Sequence, residues 1–119
     1  MQRRQILAGL AAIAASPALA QAQWSPDRPI RVIVPFAPGG STDITARLVA
    51  EAISARLGQP VVIENRPGAA GNIGSEAVAR AAPDGYTLVM ATSTTHATNA
   101  ALYRNMPFDA QRDFTPISQ

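Results

Sequence analysis

The sequence contains no cysteine and no lysine; its 10 cations are all arginines, and it has a single histidine, His96. Without cysteine there is no disulfide, no thiolate zinc site and no lipid attachment through an N-terminal Cys. Without lysine there is no Walker phosphate loop, which requires G-x-x-x-x-G-K-S/T. One histidine and no cysteine leave a metal only carboxylates as ligands. Long apolar runs are also missing: the longest, residues 6–15, is too short to span a bilayer as a helix. No internal repeat or low-complexity stretch is present.

That short run follows Arg3 and Arg4 and precedes Ser16-Pro17 and Ala18-Leu19-Ala20. A basic start, an apolar middle and a small-residue end make a secretory signal over residues 1–20, with A-x-A cleavage after Ala20 or after Ala22. Arg3-Arg4-Gln5-Ile6-Leu7 also resembles a twin-arginine export signal, without its usual flanking residues, so ordinary export stands beside it. Removing Arg3 and Arg4 leaves 8 cations against 8 carboxylates. The formal charge of +2 therefore belongs to the signal. A near-neutral mature chain has no phosphate-tracking basic face, which argues against nucleic acid as a partner. The expected product is exported, soluble and without a stable membrane anchor. In a two-membrane bacterium that is the periplasm.

Residues 21–119 suffice for one small domain with a core. After a polar lead-in, the apolar run IRVIV reads as a first strand, residues 30–34, closed by Pro35. From Ser41 the period becomes helical: Ile44, Leu48, Ala52 and Ala55 share a face, with Val49 and Ile53 beside it, and Asp43, Arg47, Glu51 and Ser54 fall opposite. Asp43 and Arg47 have the spacing of an i,i+4 ion pair. Leu57-Gly58-Gln59-Pro60 stops this helix. Residues 61–64 read as a second strand. Asn72 is a candidate cap for a helix over residues 73–82, and Pro83-Asp84-Gly85 is a turn. A third strand is expected over residues 87–91, a third helix over residues 96–104, and the start of a fourth strand over residues 114–118. Strand, helix, strand, helix, strand at this spacing predicts a doubly wound, mostly parallel α/β sheet with local order 2-1-3. Ligands of such sheets sit at the carboxyl ends of the strands flanking the switch point, here residues 36–42 and 92–96.

Three chemistries compete for those loops. Nucleotide binding is poorly supported: Gly68, Gly71 and Gly74 are spaced G-x-x-G-x-x-G after the second strand, not G-x-G-x-x-G after the first. A hydrolase would need Ser93 or Ser41 with His96, and Asp84 to complete a triad, yet Gly39-Gly40-Ser41 is not a nucleophile elbow and no oxyanion hole is evident. Capture without chemistry needs less. A helix N-terminus offers free N–H donors and partial positive charge to a carboxylate, Gly39 and Gly40 let a ligand approach, and Ser41 and Thr42 add hydroxyls. The plainer reading has Ser41 capping the helix and the glycines forming a turn. Asp43 fits a structural role better than an anion contact.

The motifs PFAPGGSTD, ENRPGAAGNIG and PDGYTL, in this order and spacing, are together specific. From about Trp24 to Gln119 the chain resembles the Bug-type extracytoplasmic solute receptors, the substrate-binding proteins of tripartite tricarboxylate transporters. The resemblance implies part of a periplasmic binding protein fold of the type II kind, in which two α/β domains close around a ligand. It implies capture of a small organic carboxylate (a di- or tricarboxylate, an acidic amino acid or an aromatic acid), delivery to the transporter's membrane components, no cofactor and no catalysis. Carried over by motif, the ligand-binding candidates are Phe36, Ala37, Gly39, Gly40, Ser41, Thr42 and Asp43. Ala69 and Asn72 follow from the second loop, and Ser93, Thr94, Thr95 and His96 from the third. Relatives continue through a second domain, so the chain is expected to be the N-terminal part of domain 1, a truncated receptor. A non-binding fragment or a periplasmic interaction module is the alternative, and a small serine hydrolase a further one.

Overall fold

The computed structural model describes residues 24–118. The expected signal and both cleavage positions lie outside the described residues. Three strands form one parallel sheet in the order β2-β1-β3: β1 is Ile30–Val34, β2 is Val61–Asn65 and β3 is Thr87–Val89. Ile30 pairs with Val61 and Val34 with Asn65, while Arg31 pairs with Thr87 and Ile33 with Val89. The expected order is the observed one. β1 is the central strand, and its Ile30, Ile33 and Val34 are buried, as are Ala46, Ala50 and Phe108.

The helix α1, Ser41–Leu57, returns the chain from β1 to β2. It ends as its sequence dictates, with Gly58 left-handed at φ 68 and its N–H on the Ser54 carbonyl. Its start differs from expectation. Gly40 occupies the cap position and makes no side-chain cap bond, so Ser41 is the first helical residue and not the cap. Its packing differs too. Asp43, Ala46 and Ala50 are the buried positions, whereas Ile44 and Leu48 are 53% and 65% exposed and Ala52 and Ala55 lie on the open side. The small side chains of Ala46 and Ala50 let the helix backbone approach the sheet, and the larger apolar stripe is turned outward.

Helix α2, Asn72–Ala79, follows a 3-10 turn at Ala69–Gly71. Gly71 takes the cap position at φ 89, so Asn72 opens the helix instead of capping it, and the helix stops short of residue 82. After β3 the chain enters a π-turn at Thr94–Thr98 and then α3, Asn99–Leu102, so helical structure begins earlier and ends earlier than residues 96–104. β2 runs one residue longer than expected and β3 two residues shorter. Residues 114–118 form no strand. Instead Phe114 meets the His96 ring edge-on at 4.6 Å and Phe108 at 5.5 Å, which holds the segment against the π-turn. At the opposite end of the sheet the lead-in is fastened to the turn before β3. Trp24 packs on Tyr86, Arg28 lies 4.1 Å over the Tyr86 ring, and its guanidinium pairs with Asp84 at 2.8 Å. The expected turn is present there, with Gly85 at φ 81. Among the described residues no helix is long and apolar enough to cross a membrane.

Candidate functional site

The loops leaving the carboxyl ends of β1, β2 and β3 meet at Gly71. A Cβ there would lie 2.5 Å from Thr95 Cγ2, 3.3 Å from Phe36 Cζ and 3.4 Å from Pro35 Cβ. Only a glycine lets the second loop reach the other two, and its φ of 89 suits no other residue well. The backbone before it is strained as well: Ala69 and Ala70 both have left-handed φ, 48 and 54. For residues carrying a Cβ this conformation costs roughly 1–3 kcal/mol each, and such outliers gather at ligand clamps. Asn99, on the third loop's helix, holds the strained turn by donating its amide to the Ala70 carbonyl at 2.9 Å.

Within the first loop the two glycines differ. Gly39 has φ 86, while Gly40 has φ −77, an extended geometry open to any residue. Of the pair, only Gly39 takes a conformation that favours glycine. Asp43, only 3% exposed, spends both carboxylate oxygens internally. Its Oδ2 accepts from the Gly39 N–H at 2.9 Å and from Arg47 Nε at 3.0 Å, and its Oδ1 accepts from Asn65 Nδ2 at 2.9 Å. The Arg47 bond, then the Gly39 and Asn65 bonds, hold its pKa down to about 2. Asp43 is thus a fixed, compensated anion, as the i,i+4 spacing with Arg47 suggests. Gly40, Ser41 and Thr42 have no side-chain cap above them, so α1 presents its first-turn N–H groups and two hydroxyls at the exposed end of the loop.

The other candidates divide by burial. Ala37, Gly39, Gly40, Ser41, Ala69 and Ser93 are exposed, and Phe36, Thr42, Thr94 and His96 are half-buried. Asn72 and Thr95 are turned inward. Asn72 Oδ1 accepts from Asn99 Nδ2 at 2.7 Å, and Thr95 exchanges hydrogen bonds with Thr92. His96 Nδ1 is 2.8 Å from Thr95 Oγ1. Burial pushes the His96 pKa down, favouring the neutral ring. Asn65, Asn99 and Phe108 were not singled out from sequence, because their roles depend on strand register and on loop packing that leave no periodic signal.

The arrangement does not assemble the triad written for a hydrolase. Asp84 precedes β3 and is paired with Arg28, whereas Ser93 and His96 follow the strand's other end. No group of three potential metal ligands exists among the described residues.

Comparison with known proteins then decides the family. Residues 45–119 match the tripartite tricarboxylate transporter family receptor. The chain belongs to this family. The protein BugT of Bordetella pertussis is 48% identical over 94 residues, which cover 78% of this chain and 29% of BugT. Among solved structures, MatC of Rhodopseudomonas palustris with bound malate is 45% identical with a TM-score of 0.74, over 76% of this chain and 31% of that one. The periplasmic binding protein BugD is 42% identical with a TM-score of 0.70, over 77% of this chain and 30% of that one. The family and fold expected from the three motifs are therefore the observed ones. The family is described as one of receptors, and BugD as a periplasmic binding protein. The chain spans about a third of the length of these relatives.

Proposed function

We propose that this chain forms part of one lobe of a periplasmic solute receptor whose loops at the carboxyl ends of β1, β2 and β3 receive one carboxylate of a small organic acid. The acid is then passed to the membrane components of a tripartite tricarboxylate transporter. The convergence of the three loops at Gly71, together with the uncapped start of α1 in the first of them, carries this reading. Free N–H groups and the helix dipole favour an anion without any lysine or arginine in contact with it. The malate bound by MatC supports a dicarboxylate in particular. Ser41 and Thr42 hydroxyls and the backbone of residues 40–42, 69–70 and 93–94 are the donors assigned to it.

The dipole contribution at an open helix end is about 0.3–1 kcal/mol, less than the roughly 1.4 kcal/mol of one tenfold step in affinity. One lobe alone therefore holds its ligand weakly, at about millimolar or weaker. Calorimetric titration of the chain with malate and with its neutral diamide tests the reading. Weak, saturable binding of malate and none of the diamide is expected. Equal behaviour of the two would remove the carboxylate from the account.

A further inference from the structure

The loop of residues 36–40 is tied at both ends by side chains from other elements. The Phe36 carbonyl accepts from Asn65 Nδ2 at 3.1 Å, and the Gly39 N–H donates to Asp43 at 2.9 Å. Asn65 is the last residue of β2, where the register sets it opposite Val34, immediately before the loop begins. Asp43 lies in the first turn of α1, immediately after the loop ends. The two side chains are joined to each other at 2.9 Å, and Arg47 bonds to both, at 3.0 Å to Asp43 and 3.2 Å to Asn65. Strand, loop and helix are thus closed into one hydrogen-bonded ring beneath the exposed glycines.

We infer that Asp43, Asn65 and Arg47 form a positioning latch that sets the loop of residues 36–40 in its ligand-receiving shape before any ligand arrives. The inference rests on the capture proposed for that loop, and assigns these three residues no contact with the ligand. Asp43 has no oxygen left to offer, and the Gly39 N–H, a natural donor for a carboxylate, is already taken by it. Donation to the ligand therefore falls to Gly40, Ser41 and Thr42. A loop of Pro, Ala and Gly held this way does not lose its conformational freedom at the moment of binding, which is the usual cost of an unordered site. Arg47 also balances the Asp43 charge, which stands close to where an anion is expected.

The test uses the whole chain, with the Gly39 amide followed by NMR hydrogen exchange and malate as the probe. Asn65→Leu keeps the branched side-chain shape and removes both N–H donors; Asp43→Asn keeps shape and removes the charge and an acceptor, and serves if the first variant does not fold. Tenfold or faster exchange at Gly39, resonance shifts confined to residues 36–43, unchanged sheet amides and severalfold weaker malate binding are expected. Unchanged Gly39 exchange in both variants overturns the latch. Faster exchange with malate affinity as in the wild type overturns its positioning role. If the wild-type chain takes up no malate, the capture reading falls, while the Gly39 exchange still decides the latch.

Discussion

Gly71 and Thr95 stand so close that a single methyl group on Gly71 would come within 2.5 Å of Thr95 Cγ2. This contact joins the loop after β2 to the loop after β3, with Phe36 from the first loop on the same spot. Gly71→Ala brings both that overlap and a left-handed φ of 89. Strain of this kind costs about 1–3 kcal/mol before the overlap is counted. Urea unfolding of Gly71→Ala should show a loss of at least about 2 kcal/mol, and an unchanged midpoint would mean that the three loops are not packed as described.

The two glycines of the first loop make a contrasting pair. Gly39→Ala meets nothing within 4 Å, so its cost is the φ strain alone. Gly40→Ser needs no strain and supplies the missing cap oxygen, which is worth a few tenths of a kcal/mol in favour of folding. The same hydroxyl would compete for first-turn N–H groups, so Gly40→Ser should be slightly more stable and bind malate less well. Thermal unfolding and titration of the same preparations check both signs.

Asp43 makes stability depend on acid. Its folded pKa, held at about 2, lies below the ordinary value of 3.8. The folded state therefore binds the proton less readily than the unfolded chain does. Its stabilising contribution is complete above about pH 4 and is lost as the pH falls towards 2. Over that window the wild-type chain should lose stability more steeply than Asp43→Asn. Parallel slopes for the two proteins would show that Asp43 is not compensated in solution as it is in the structure. His96 follows the same sign at higher pH: its lowered pKa makes stability fall as the pH drops through the ordinary histidine range.

What the sequence disclosed, and what it did not, follows from the range of the interactions. The strand order was legible because IRVIV, the glycine stop at Gly58 and the Pro83-Asp84-Gly85 turn are local signals. The direction of α1 was not, since its helical period marks an apolar stripe without saying whether Ala46 and Ala50 or Leu48 and Ile44 meet the sheet. A fourth strand over residues 114–118 was expected from composition, but Phe114 found a ring partner in His96 instead. At the site, the motif pointed to residues 36–43. The role of Asn65 emerges only when the β1–β2 register brings it beneath the loop.

The outward stripe on α1 has a consequence for the chain in isolation. Ile44, Leu48, Val49 and Ile53 are all 40% or more exposed on one helix. Contiguous apolar surface of this kind promotes association. The purified chain should self-associate with rising concentration in sedimentation velocity. Leu48→Lys should reduce that association while changing folding stability by no more than about 0.5 kcal/mol. Association that is indifferent to Leu48 would place the contact elsewhere.

The central claim is that three loops on one edge of the sheet receive a carboxylate. Amide chemical-shift mapping during a malate titration of the isotopically labelled chain addresses it most directly. Saturable shifts are expected at Gly40, Ser41 and Thr42, at Ala69 and Ala70, and at Ser93 to Thr95, with the amides of residues 84–86 at the far end of the sheet unmoved. Shifts centred on the far end, or on the outward stripe of α1, would contradict it.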